Sequence, residues 1–145
     1  MDFIAAVEEF KETLGITGEK PSFSKRERET IYAVAFGKYD IGAYKDAADF
    51  FTQLILHDPY DPRFWKGLAA SCQMQKEYQA SLHAWAVHAL LSGHSTTSHF
   101  HAAECYLSMG EIEEAKKALK MAEMHINEAD SLTKRVEYLK EHLYG

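Results

Sequence analysis

Residues 62–85 read PRFWKGLAASCQMQKEYQASLHAW, and their spacing decides the fold. A large residue, Trp65, is followed by Leu68 and the small Ala69. After a short break come Tyr78, Ser81 and Trp85. The same arrangement stands 34 residues upstream as Ile31, Ala35, Tyr44, Ala47 and Phe51. It stands again 34 residues downstream as His99, Ala103, Ile112, Ala115 and Leu119. Gly42, Lys76 and Gly110 share a further column, and no insertion is needed to keep phase. Self-similarity at a fixed period is the mark of a repeat architecture. The physical reason is helix packing: a small residue lets the partner helix approach, and bulky residues fill the space between helices.

A helix-turn-helix unit of this length with large, small, Ala and bulky positions is the tetratricopeptide (TPR) pattern. The composition agrees with an all-α chain. Prolines occur only at Pro21, Pro59 and Pro62, β-branched residues are sparse, and period-two alternation is absent. The expected fold is a superhelical stack of three TPR helix pairs at 28–61, 62–95 and 96–129, with flanking N- and C-terminal helices. Pro59 stands in the repeat's stop column, and Gly93 and Asn127 replace it later.

The ends of such a stack need covering. At the C-terminus, 130–145 suits a capping helix: Asp130 is a candidate cap, and Leu132, Val136, Leu139 and Leu143 form an apolar stripe. At the N-terminus, Phe3, Val7, Phe10 and Leu14 make an amphipathic helix within 1–20, ended by a Gly- and Pro-containing linker. Ser24 with Glu27 is a candidate capping box for the first repeat. The whole, 1–145, reads as a single domain of seven or eight helices.

Composition narrows the function. The formal net charge of −6 argues against nucleic acid as a partner, because phosphate binding needs a basic stripe. No run of 18 apolar residues is present, so direct membrane insertion is not expected. The N-terminus lacks a secretory pattern, and two cysteines, Cys72 and Cys105, suit a reducing cytoplasm as buried thiols. No phosphate loop, nucleophile elbow or zincin pair is present, so an enzyme is not expected. His94, His99 and His101 cluster in sequence, but His99 and His101 fall on different helix faces, so packing roles and no metal or cofactor are expected. The run Glu111 to Lys120 is a solvated face with pairs such as Glu113–Lys117.

The first helices of a TPR stack line a concave groove. In the first unit the groove positions are Glu29, Tyr32, Phe36, Tyr39 and Asp40, with Tyr44 close by. In the second they are Arg63, Lys66, Ala70, Gln73 and Met74, and in the third Thr97, Phe100, Glu104, Leu107 and Ser108. Tyr32, Phe36, Tyr39 and Tyr44 form an aromatic wall suited to apolar anchors. The stack's own core is assigned to Ile31, Val34, Ala47, Phe51 and Leu54.

Ile31-Tyr32-Ala33-Val34-Ala35-Phe36 with Gly42-Ala43-Tyr44-Lys45-Asp46-Ala47 resembles the class II chaperones of bacterial type III secretion systems. Asp58-Pro59-Tyr60-Asp61-Pro62-Arg63-Phe64-Trp65 and Phe100-His101-Ala102-Ala103-Glu104-Cys105 are similar to the same family. The resemblance covers about residues 25–129; Trp65 and a short C-terminal tail depart from it. It implies a small, acidic, non-enzymatic protein of the bacterial cytoplasm. Such a protein binds hydrophobic translocators and keeps them soluble and secretion-competent. An extended N-terminal translocator segment would lie in the groove. By that resemblance the groove residues are Tyr32, Phe36, Tyr39, Tyr44, Lys66, Gln73, Phe100 and Glu104. The aromatic ones would hold anchors, and Lys66, Gln73 and Glu104 would bond peptide backbone. It also implies a homodimer, for which Phe3, Val7 and Phe10 are the candidate interface. The alternative is a generic TPR scaffold binding another protein's extended peptide. A carboxylate-gripping version is disfavoured, since Tyr32, Phe36, Gly67, Thr97 and His101 occupy its clamp columns.

Overall fold

The computed structural model describes residues 22–93, 95–126 and 131–144, together with Ala5, Glu8, Glu9 and Glu12, which are helical and exposed. Among the described residues there are seven longer helices and no strand. They are α1 (Lys25–Asp40), α2 (Tyr44–His57), α3 (Pro62–Met74), α4 (Tyr78–Leu91), α5 (Thr96–Ser108), α6 (Ile112–Met124) and α7 (Thr133–Tyr144). Each packs chiefly on its neighbours in the chain, as a TPR stack requires.

The turns inside the three pairs are built alike. The residues in the 42, 76 and 110 column all have positive φ: Gly42 at 82°, Lys76 at 61° and Gly110 at 77°. In each turn the following N–H folds back onto a carbonyl of the finished helix. Ala43 donates to Lys38, Glu77 to Cys72 and Glu111 to Tyr106, all at 2.9 Å. These are Schellman stops, which satisfy carbonyls that a helix end leaves bare. The first helix of each pair is also capped at its start. Ser24 and Glu27 form a reciprocal capping box at 3.1 and 3.0 Å. Asp61 caps α3 just before Pro62, and Ser95 caps α5.

The repeat columns are the core. Ala35, Ala69, Ala103, Ala47, Ser81, Ala115, Phe51, Trp85 and Leu119 are all buried. Ser81 in an alanine column keeps its hydroxyl satisfied by donating to the Ala69 carbonyl at 2.8 Å. Trp65 donates its indole N–H to the Pro59 carbonyl at 2.7 Å, tying α3 to the preceding loop. A second apolar cluster joins Phe100, Leu119 and Ala122 to Leu132, Val136 and Leu139, so α7 closes the far end of the stack.

Two sequence expectations are corrected. Val34 is 41% exposed and not core: on α1 the buried position is its neighbour Ala35, and Val34 points away from that side. On α6 the ion pairs are Glu113–Lys116 at 3.6 Å and Glu114–Lys117 at 3.1 Å, a step of three in place of Glu113–Lys117. Phe3, Val7, Phe10, the 15–21 linker and Asp130 lie outside the described residues. Among the described residues no helix is long and apolar enough to cross a membrane.

Candidate peptide-binding groove

Helices α1, α3 and α5 each turn one face toward a shared cavity of about 540 Å³, which Arg135 of α7 edges at the far end. Helix α1 supplies Tyr32, Phe36 and Tyr39 at steps of four and three, which place them on one stripe. Helix α3 supplies Arg63, Lys66, Gly67, Ala70, Gln73 and Met74, and α5 supplies His101 and Glu104.

The α1 end is aromatic. The Tyr32 ring lies 6.3 Å from Phe36, 6.2 Å from Phe51 and 6.0 Å from Phe64, centre to centre. Arg63 lays its guanidinium 4.5 Å over Tyr32, a cation–π contact that fixes the ring. Arg63 is itself held by Glu29 at 3.0 Å and Asp61 at 2.8 Å. Its hydrogen bonds and charge hold the Glu29 carboxyl below the usual range. Phe36 is 51% exposed inside this apolar setting. Tyr44 does not line the cavity; it stands edge-on behind Tyr39 at 5.3 Å. Burial, with Tyr44 and Asp40 beside it, pushes the Tyr39 phenol up, so it stays a hydrogen-bond donor at neutral pH.

The opposite end is a connected polar relay. Trp85 donates its indole N–H to Gln73 Oε1 at 3.1 Å, and Gln73 Nε2 donates to Glu104 Oε1 at 3.2 Å. His101 Nδ1 meets the same oxygen at 2.6 Å, and Arg135 reaches Glu104 Oε2 at 3.5 Å. Burial pushes the Glu104 carboxyl up, but the bonds from His101 and Gln73 and the Arg135 charge outweigh it and hold it low. The His101 ring stacks on Trp85 with centres 4.8 Å apart and an angle of 17°.

Six of the eight groove candidates therefore line the cavity: Tyr32, Phe36, Tyr39, Lys66, Gln73 and Glu104. Phe100 is a correction. It is 2% exposed and belongs to the second core cluster. It shares a repeat column with Tyr32 and Lys66, but there α7 follows, and Arg135 covers the Phe100 ring at 4.8 Å. Gln73 and Glu104 are bonded to each other, so their first role is to order the groove wall. Phe51 reaches the floor because Gly67 has no side chain: a Cβ there would fall 2.3 Å from the ring. Trp85, His101 and Arg135 were not among the sequence candidates. Trp85 reads as a core column residue, and nothing in the spacing announces that Arg135 reaches across 31 positions to Glu104.

The remaining reactive side chains are quiet. Burial pushes the Cys72 thiol up to about 12 and the Cys105 thiol up to about 11, so both stay protonated and un-nucleophilic. Burial pushes His88 down to about 4, and it sits as a neutral ring against Ser98 at 2.5 Å. Among the described residues no three metal-ligating groups gather.

A family model described as tetratricopeptide repeat matches residues 62–89. Low calcium response locus protein H of Yersinia pestis is 34% identical over 122 residues, covering 84% of this chain and 73% of the relative. The structure is similar to the type III secretion chaperone SycD of Yersinia enterocolitica, solved with a peptide of the translocator YopD and separately as an alternative dimer. The TM-score is 0.79 with 32% identity, covering 85% of this chain and 96% of that one. It is also similar to PcrH of Pseudomonas aeruginosa in complex with the chaperone binding region of PopD. There the TM-score is 0.79 with 29% identity, covering 84% of this chain and 94% of that one. The chain belongs to the TPR-containing class II chaperones of bacterial type III secretion, the translocator chaperones.

Proposed function

We propose that this chain binds the extended N-terminal segment of a hydrophobic translocator in its concave groove, in the bacterial cytoplasm, and keeps that partner soluble until export. One observation carries this most directly. Phe36, half-exposed, stands with Tyr32 and Tyr39 on one wall of a cavity that its own fold leaves unfilled. Such rings bind apolar side chains well and lose little rotamer freedom. The groove candidates are then Tyr32, Phe36 and Tyr39 for anchors, Tyr44 behind them, and Lys66, Gln73 and Glu104 on the polar side. The action is binding and release, without covalent chemistry. Co-expression with candidate translocators from the same genome, followed by affinity capture, tests it. Co-purification that Phe36→Ala abolishes supports the reading, and capture indifferent to Phe36 refutes it.

The same reading includes a homodimer through the N-terminal segment carrying Phe3, Val7 and Phe10. Support comes from Val34 on α1 and Ile41 just past its end, which at 41% and 76% exposure present apolar surface. Sedimentation of a chain lacking 1–20 is expected to shift toward monomer; an unchanged mass removes this segment from the interface.

A further inference from the structure

Among the described residues, the groove holds one cation that no carboxylate answers. The protein carries a formal net charge of −6. The cavity wall nevertheless holds Arg63, Lys66 and Arg135 against one carboxylate, Glu104. Two of these cations are engaged. Arg63 is closed by Glu29 and Asp61, and Arg135 leans on Glu104. Lys66 is exposed, and among the described residues it has no hydrogen bond or ion pair. Glu104 bonds His101, Gln73 and Arg135 and makes no ion pair with Lys66. Ala70 stands one turn after Lys66 on α3 and both line the cavity, so an ion pair formed inside it is screened less than one on open surface.

Position gives the register. Lys66 stands in the column of Tyr32, one groove helix further on, and α3 touches α1. Touching helices lie about 8–10 Å apart, and an extended chain advances about 3.3 Å per residue. A peptide whose apolar side chain sits against Tyr32 and Phe36 therefore passes Lys66 about three residues along. We infer that Lys66 is a specificity-determining residue that selects segments carrying Asp or Glu about three residues from the apolar side chain held by Tyr32 and Phe36. This rests on the peptide-binding reading proposed above.

The test pans the immobilised full-length chain with two synthetic libraries of short extended peptides, one with a fixed central leucine and one with a central alanine, the flanks randomised. Wild type is expected to retain the leucine library preferentially. It is also expected to enrich Asp and Glu over Asn and Gln at about three residues from the leucine by roughly fivefold, a partly shielded ion pair of about 1 kcal/mol. Lys66→Glu is expected to reverse the preference toward Lys and Arg, and Lys66→Met to abolish it; Lys66 is exposed, so both variants fold. If leucine retention depends on Phe36 but no acidic preference appears, or if the preference survives Lys66→Glu, the Lys66 inference is overturned and the groove reading stands. If leucine retention is absent, or survives Phe36→Ala, both are overturned.

Discussion

Replacing Phe36 by Ala isolates the groove from the core. Phe36 is 51% exposed, while its stack neighbour Ala35 is fully buried. A phenylalanine carries about 200 Å² of surface, so roughly 100 Å² remains for a ligand to cover. At about 25 cal/mol per Å² this is about 2.5 kcal/mol, or nearly two decades of affinity. Part of the ring already leans on Tyr32 at 6.3 Å, so the expected loss is at least about tenfold in Kd. Calorimetry with the translocator segment recovered by co-expression reads the affinity, and far-ultraviolet circular dichroism reads the fold. Helicity is expected to stay at the wild-type level, because the ring supports no part of the buried columns. Unchanged affinity refutes the groove assignment, and a collapse of helicity makes Phe36 a core residue. Tyr32→Ala is expected to weaken binding and also to lower stability, because its ring packs on buried Phe51 and Phe64; Glu113→Ala, at an exposed position of α6, is the silent control.

Three further predictions follow from the turns and the interior. Lys76→Gly is expected to raise stability by about 0.5–1 kcal/mol, since its φ of 61° burdens a side chain while the same column holds glycine elsewhere; a lowered Tm refutes this. Gly67→Ala is expected to cost about 1–3 kcal/mol in denaturant midpoint, because its Cβ meets the Phe51 ring at 2.3 Å, and to weaken peptide binding by displacing the groove floor. His88 is held neutral with its pKa pushed by burial to about 4 from an ordinary 6.5. The unfolded chain takes up that proton first, so stability is full above about pH 6.5 and falls as pH drops toward 4. Denaturant melts of His88→Asn across that window are expected to show a shallower loss than wild type, and an equal slope refutes the assignment.

What the sequence made legible is what recurs. Ala35, Ala69 and Ala103 had to be buried because each lets a partner helix approach, and all three are. Tyr32, Phe36 and Tyr39 were legible for the same reason, since spacing on a helix of known repeat fixes the direction of a side chain. Phe100 shows where that logic ends. Its column points to the groove in the first two units, but the third unit is capped by α7, and Arg135 turns the same position into core. The relay of Trp85, Gln73, Glu104, His101 and Arg135 was illegible because it joins α3, α4, α5 and α7, and no local spacing records a bond between helices that far apart. The repeat fixes which positions face the groove, and departures in what fills them divide it: the first unit places Tyr32, Phe36 and Tyr39 where the second places Lys66, Ala70 and Gln73. Lys66 is such a departure, a cation where the units on either side carry Tyr32 and Phe100. The aromatic positions of the first unit hold any apolar segment, so discrimination among segments of equal hydrophobicity must come from the polar residues that later units carry in the same columns.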